Sequence, residues 1–408
     1  MSTSKLSDVR VARIFRASCV AIVATAMCFG VRAEIMDSLA GQFHLTNEQI
    51  GWIAGTAFWG FTVSMFIGGQ LCDILGMRWL IGMAFIGHIA GVLLTVFATG
   101  FVSLYVGTLA IGLANGFAEA TANPLIPTLY PDRKTGRLNA LHVWFPGGIV
   151  IGGLVAWACT QLGWNWQIKM ALILVPVLAY GILFAQEELP PTERVQHEVT
   201  TGAMYREALR PGFIVLLGCI LLTAATELGP AQWIPSILSR ATHLSGILVL
   251  VWIMGLEAFG RLFAGRIVAR ISPVALLLSS TLLAAAGLFF LGTLHSGLGI
   301  FLAATGFAAG VCYCWPTMYG ITSERFPVGG AFLLALIGSA GMLSDAFVVP
   351  LMGRIYDLWG PASALRSMAV VPLIVAVVFG LIVLRDRAHG GYRVTSLSTA
   401  ASPAALKD

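Results

Sequence analysis

Twelve separate apolar runs, each about the length a helix needs to cross a bilayer, divide this chain. A spanning helix takes about 20 mostly apolar residues. Runs of that kind lie near residues 14–36, 50–72, 79–98, 101–125, 138–160 and 165–185, and again near 211–237, 246–268, 272–294, 298–320, 329–353 and 361–384. In lipid every backbone polar group must find its partner inside the protein, so such a pattern can fold only as a helical bundle. The composition agrees: 58% of the 408 residues are hydrophobic and 11% are charged, against about 25% charged in a soluble domain. The expected fold is therefore an all-α membrane protein of twelve transmembrane helices.

The runs fall into two sets of six. Between them lies the most charged loop, residues 186–210, whose proline pair and mixed charge read as a linker. The expected domains are an N-terminal six-helix bundle over 1–185, that linker, a C-terminal bundle over 211–386 and a disordered tail over 387–408. The halves also echo each other. Gly112 and Gly116 recur as Gly306 and Gly310 at an offset of 194, and the same offset carries Glu34 to Leu228, next to Glu227. This favours a duplicated six-helix unit.

Charge and cysteine usage exclude several classes. The first run follows Lys5, Arg10, Arg13 and Arg16, but "VRAE" is a poor small-residue cleavage site and eleven runs follow, so it reads as a retained helix. With the N-terminus cytoplasmic, only Arg32, Lys169, Arg240, Arg354 and Arg366 of the 24 Lys and Arg fall at or near the outside. Both termini are thus expected in the cytoplasm. The net +5 reflects that bias and gives no reason to invoke nucleic acid. The seven cysteines lie in or beside the apolar runs, with no disulfide framework and no metal-ligand spacing. No cofactor is expected. No nucleophile, base and orienting group stand at recognisable spacing, so the chain does not read as an enzyme.

The stretch Gly112 to Leu125, "GLANGFAEATANPL", places Glu119 inside an apolar run. A carboxylate at the bilayer centre costs about 2.5 kcal/mol or more. Helical spacing puts Gly112, Asn115, Gly116, Glu119 and Asn123 on one stripe. Small residues admit a close neighbour, and the amides donate or accept hydrogen bonds. In the second half Glu227, Gln232 and Trp233 flank Gly229-Pro230, Tyr313 and Trp315 lie mid-run, and Asp345 is a further carboxylate that either joins a polar cavity or pairs with Arg354. Asn139 opens the fifth run with His142; both His142 and His88 read as structural. Near the outer end of the first run, Glu34 has Arg32 as a neighbouring salt-bridge candidate.

The loop from Gly69 to Arg78 resembles the G-x-L-x-D-x-x-G-x-R signature of the major facilitator superfamily, with Gly69, Asp73, Gly76 and Arg78 at fixed positions. Three further stretches, "LTNEQIGWIAGTAFWGF", "GLANGFAEATANPL" and "GRLNALHVWFPGG", are similar to the fucose/galactose/glucose proton-symporter family. That resemblance implies proton coupling and sugar binding by a late acidic residue of the first helix, matched by Glu34 with one residue gapped, and by a fourth-helix glutamate, matched by Glu119. A desolvated carboxylate that takes up a proton is also cheaper to carry through an occluded state. A sugar needs carboxylates, amides and an aromatic face, which Asn115, Asn123, Asn139, Glu227, Gln232, Tyr313, Trp315 and Asp345 offer. Asp73, expected to face the start of the eleventh helix near Gly329, and the Glu257/Arg261 pair, four apart on one face, read as gating residues.

The expectation is a monomeric inner-membrane symporter whose partners are a monosaccharide, a proton and the lipid bilayer. The alternatives are a facilitator-type carrier of another solute, such as an organic anion or drug, by antiport, and a sensor that binds solute without moving it. An anion carrier needs a cation in its cavity, and only Arg32 stands near such a position.

Overall fold

The computed structural model describes residues 7–130, 134–191, 201–242, 244–263, 267, 270–326 and 329–394, and those residues contain helices and no strand. In the first half the helices are α1 (Asp8–Phe43), α2 (Asn47–Leu75), α3 (Met77–Val96), α4 (Phe101–Leu129), α5 (Lys134–His142), α6 (Trp144–Gln161), α7 (Trp166–Ala171) and α8 (Leu174–Ala185). A short α9 (Thr201–Ala208) lies in the charged stretch. Then follow α10 (Pro211–Ala241), α11 (Gly246–Arg261), α12 (Pro273–Leu291), α13 (Gly297–Val311), α14 (Cys314–Arg325), α15 (Gly330–Trp359), α16 (Pro361–Met368) and α17 (Val370–Ala388).

Eleven helical stretches among the described residues are long and apolar enough to cross a membrane. The remaining apolar run, the eighth, appears as α11, whose 16 residues are followed by positions outside the described set. The tenth run is interrupted between α13 and α14, at Cys312 and Tyr313. Helix ends follow local chemistry. The Ser7 hydroxyl accepts the Arg10 amide at the start of α1, and Ser272 accepts the Ala275 amide ahead of Pro273 at the first turn of α12. Gly76 joins α2 to α3 at φ +85°, a conformation that side chains with a Cβ disfavour. The second glycine of the signature loop is thus required by the turn.

The chain divides into two compact units, Met1–His44 with Thr56–Glu198, and Leu45–Gly55 with Val199–Asp408. In the first, α1 packs on α6 and α3 on α4. Lipid gives helices little hydrophobic reason to associate, so close backbone approach supplies the attraction. The glycines permit it: a Cβ at Gly30 would lie 2.5 Å from the Ile149 carbonyl oxygen, and one at Gly152 2.8 Å from that of Met27. Gly112 and Gly116 press against Ala57 and Ser64 of α2.

In the second unit, Phe213, Leu216 and Ile220 of α10 form a buried core with Leu277 of α12, Met318 of α14, Leu333 and Ile337 of α15 and Phe379 of α17. The first turns of α2 belong here. Asp357 of α15 caps them, accepting from Asn47 Nδ2 at 2.7 Å and from the Glu48 amide at 2.8 Å, an anion at a helix N-terminus.

Candidate functional site

Glu119 is 5% exposed and Asn115 fully buried, on α4 of the first unit. Asn123, one turn on, is the polar side chain beside the Glu119 carboxylate. A carboxylate only accepts, so it is the Asn123 NH2 that suits Glu119, and the Asn123 Oδ1 is left buried without a donor. Asn115 is held from the other side. Its Oδ1 lies 2.7 Å from His88 Nε2, and His88 Nδ1 lies 2.8 Å from the Tyr180 hydroxyl. An amide oxygen accepts, so Nε2 donates and Nδ1 accepts from Tyr180; this fixes the tautomer. Asn115 Nδ2 then remains buried with no acceptor among the described residues. The stripe read from the sequence thus resolves into two parts, glycines facing α2 and a polar row of Asn115, Glu119 and Asn123.

His88 is a satisfied core histidine, as its apolar surroundings suggested, but it also positions Asn115. Nothing local signals this, because its partners lie 27 and 92 residues away.

Glu34 is not paired with Arg32, the neighbour the sequence offered. Its carboxylate accepts from Thr160 Oγ1 at 2.7 Å and stands 3.9 Å from Lys169 Nζ, which itself donates to Thr160 Oγ1 at 2.7 Å. Residues two apart on a helix point to different faces. Arg32 turns inward instead: it is 5% exposed, with its guanidinium 4.7 Å from the Phe29 ring centre and 5.9 Å from that of Phe58. The sequence had placed it at an outer end.

In the signature loop, Arg78 donates to the carbonyls of Ala185 at 3.0 Å and Glu187 at 2.9 Å, just past the end of α8, a cation at a helix C-terminus. Glu187 in turn receives Arg10 at 3.0 Å and Arg13 at 3.1 Å. Read only as part of a linker, it is a buried junction. The side chains of Asp73 and Asn139 lie outside the described residues, so the expected facing of Asp73 and Gly329 and any role of Asn139 do too.

In the second unit, Glu227 of α10 joins the Glu257/Arg261 pair. Arg261 Nη2 is 3.1 Å from Glu227 Oε1 and 3.3 Å from Glu257 Oε2, and its Nε donates to the Cys312 carbonyl. Asp345 is fully buried, facing Glu227 and the backbone of Gly229 rather than Arg354. Nine residues along α15, Arg354 is too far up the helix to reach it. Gln232 and Trp233 are buried as well, Trp233 donating its indole N–H to the Val349 carbonyl. The Tyr313 hydroxyl is bonded to the Gly260 carbonyl, and Trp315 stacks on Tyr319 and packs against Gly341. These rings serve packing in this structure.

The fold superposes on the D-xylose-proton symporter with a TM-score of 0.76 at 14% identity, covering 90% of this chain and 97% of that one. A bacterial homologue of the human lysosomal transporter Spinster gives 0.76 at 16% identity, over 92% and 97%. Among sequence relatives, the glucose transporter GlcP of Staphylococcus epidermidis is 30% identical over 145 residues, 35% of this chain and 32% of that protein. The 3-(3-hydroxy-phenyl)propionate transporter of Escherichia coli is 28% identical over 81% of each chain. The putative niacin/nicotinamide transporter NiaP of Bacillus subtilis is 22% identical over 82% of this chain and 83% of its own. The family model of the Major Facilitator Superfamily matches residues 17–331, well over half of the sequence, and the protein belongs to that superfamily of multi-pass membrane transporters.

Proposed function

We propose that the protein takes up a small hydroxylated solute, in the first place a monosaccharide, together with a proton. It does so as a monomer in the inner (plasma) membrane, by alternating access, with both termini cytoplasmic. The observation that carries this reading is the polar row on α4, where Glu119 stands between an unused donor, Asn115 Nδ2, and an unused acceptor, Asn123 Oδ1. Buried polar atoms without partners cost about 1–3 kcal/mol each. A sugar hydroxyl, which both donates and accepts, satisfies either. Protonation of Glu119 removes a buried charge, which lowers the cost of occlusion. Relatives named as glucose and D-xylose transporters, each matching under two fifths of the chain, support this cargo.

A second reading, uptake of an aromatic monocarboxylate, is favoured by Arg32. A buried guanidinium beside two phenyl rings suits a carboxylate joined to an aromatic ring. Two relatives aligned over four fifths of the chain are named for niacin/nicotinamide and for 3-(3-hydroxy-phenyl)propionate.

The test is uptake of labelled monosaccharides and aromatic monocarboxylates into proteoliposomes, with and without an inward proton gradient, for wild type and Glu119→Gln. Gradient-driven sugar accumulation that Glu119→Gln abolishes is expected. Accumulation of carboxylates alone sinks the sugar reading, and no accumulation of any solute sinks both.

A further inference from the structure

Two buried carboxylates share one cation in the second unit. Glu227 and Glu257 side chains are 5% and 1% exposed, and both reach the same Arg261 nitrogen. Oxygens that lie 3.1 Å and 3.3 Å from one nitrogen are close to each other. Two ionised carboxylates that close repel, and a proton taken up by one of them removes the repulsion. The oxygens turned from the arginine, Glu227 Oε2 and Glu257 Oε1, have no donor among the described residues.

Charge balance leads to the same place. The groups that face the pair are Arg261 from α11, Cys312 and Cys314 from the α13–α14 junction, with Tyr313 behind Cys312, and Asp345 from α15. Arg261 is the sole cation in that set. Asp345, fully buried and turned toward Glu227, adds a third carboxyl with no cation of its own among the described residues. With both glutamates ionised, the desolvated cluster would hold an uncompensated negative charge, and an unpaired buried ion is strongly destabilising.

We propose that Glu227 and Glu257 form a second proton-binding site, separate from Glu119, in which one proton is held between the two carboxyls over Arg261 and is gained and released during transport. An O–H bond forms on one carboxyl as the proton arrives from solution and breaks as it leaves. Arg261 stays protonated throughout and takes the negative charge left behind. The use made of this proton rests on the proton-coupled reading above; its presence does not.

Infrared spectra of the full-length protein in lipid test the proton itself, through the C=O stretch of protonated carboxyls. At neutral pH, Glu227→Gln and Glu257→Gln are each expected to lose the same component of that band, which Glu119→Gln retains. Spectra of both variants that superimpose on wild type overturn the proposal. Should a glutamine variant not fold, Glu257→Asp replaces it and is expected to shift the component; an unshifted band overturns the proposal. Transport tests the coupling: both glutamine variants are expected to keep counterflow exchange but equilibrate rather than accumulate solute. Wild-type accumulation by both variants also overturns it. A wild type that moves no solute defeats the proposed function, while the infrared result still decides where the proton sits.

Discussion

His88 holds Asn115 in place, with Nε2 2.7 Å from the amide oxygen and the ring braced behind by Tyr180. Removing the brace leaves a buried donor or acceptor unpaired, at a cost of about 1–3 kcal/mol. His88→Leu is expected to free the Asn115 side chain to rotate. The KM for the cargo should then rise about tenfold, equivalent to about 1.4 kcal/mol, with a smaller change in maximal rate. Tyr180→Phe should give a milder effect of the same kind. An unchanged KM in His88→Leu would show that Asn115 does not contact the cargo.

Arg32 separates the two cargo readings. Arg32→Met retains apolar contact with Phe29 and Phe58 and removes the charge. Transport of any monocarboxylate should be abolished by this change. Monosaccharide uptake should stay within about threefold of wild type, under 1 kcal/mol. Competition uptake with both cargo classes reads the difference directly.

The apolar runs and the α4 stripe were legible because they depend on neighbours three to twenty residues away along one helix. Glu119 and Asn123 needed only a helical turn to be seen together. The partners of His88, Glu34 and Glu227 were not legible, because each comes from another helix and separation in sequence carries no sign of it. Arg32 stands near the end of its apolar run, but the helix continues as α1 to Phe43 and the side chain is buried, which distance from the end of a run does not reveal. At its other end α1 begins at Asp8, before the apolar run. There Arg10 and Arg13 find Glu187, which composition alone placed in a linker. Gating and binding residues also merged, since Glu257 and Arg261 read as a local ion pair until Glu227 was seen to complete it.

Glu187 anchors the start of α1 to the end of α8. Its side chain is 2% exposed, whereas those of Arg10 and Arg13 are 38% and 49% exposed, so solvent screens the pairs in part. Glu187→Ala is expected to destabilise the first unit by about 1–2 kcal/mol, below the roughly 3–5 kcal/mol of a fully buried pair. Arg78, which uses the backbone carbonyls of Ala185 and Glu187, should keep its bonds. Thermal unfolding of the detergent-purified variant measures the loss, and a melting temperature equal to wild type would show that the junction contributes nothing.

Two glycines of α1 should respond oppositely to the same substitution. A Cβ at Gly30 would stand 2.5 Å from the Ile149 carbonyl oxygen and 3.1 Å from the Gly153 nitrogen, both backbone atoms of α6. The helices must separate to admit it, and overpacking of this kind costs about 1–3 kcal/mol. Gly41 lies on the same helix with nothing within 4 Å of a built Cβ. There alanine removes conformational freedom from the unfolded chain and is expected to stabilise by about 0.5–1 kcal/mol. Gly30→Ala should therefore lower the melting temperature and the monodisperse fraction on size exclusion, while Gly41→Ala raises or preserves both. Equal behaviour of the two variants would mean that the α1–α6 seam tolerates separation, and that close packing there does not hold the first unit together.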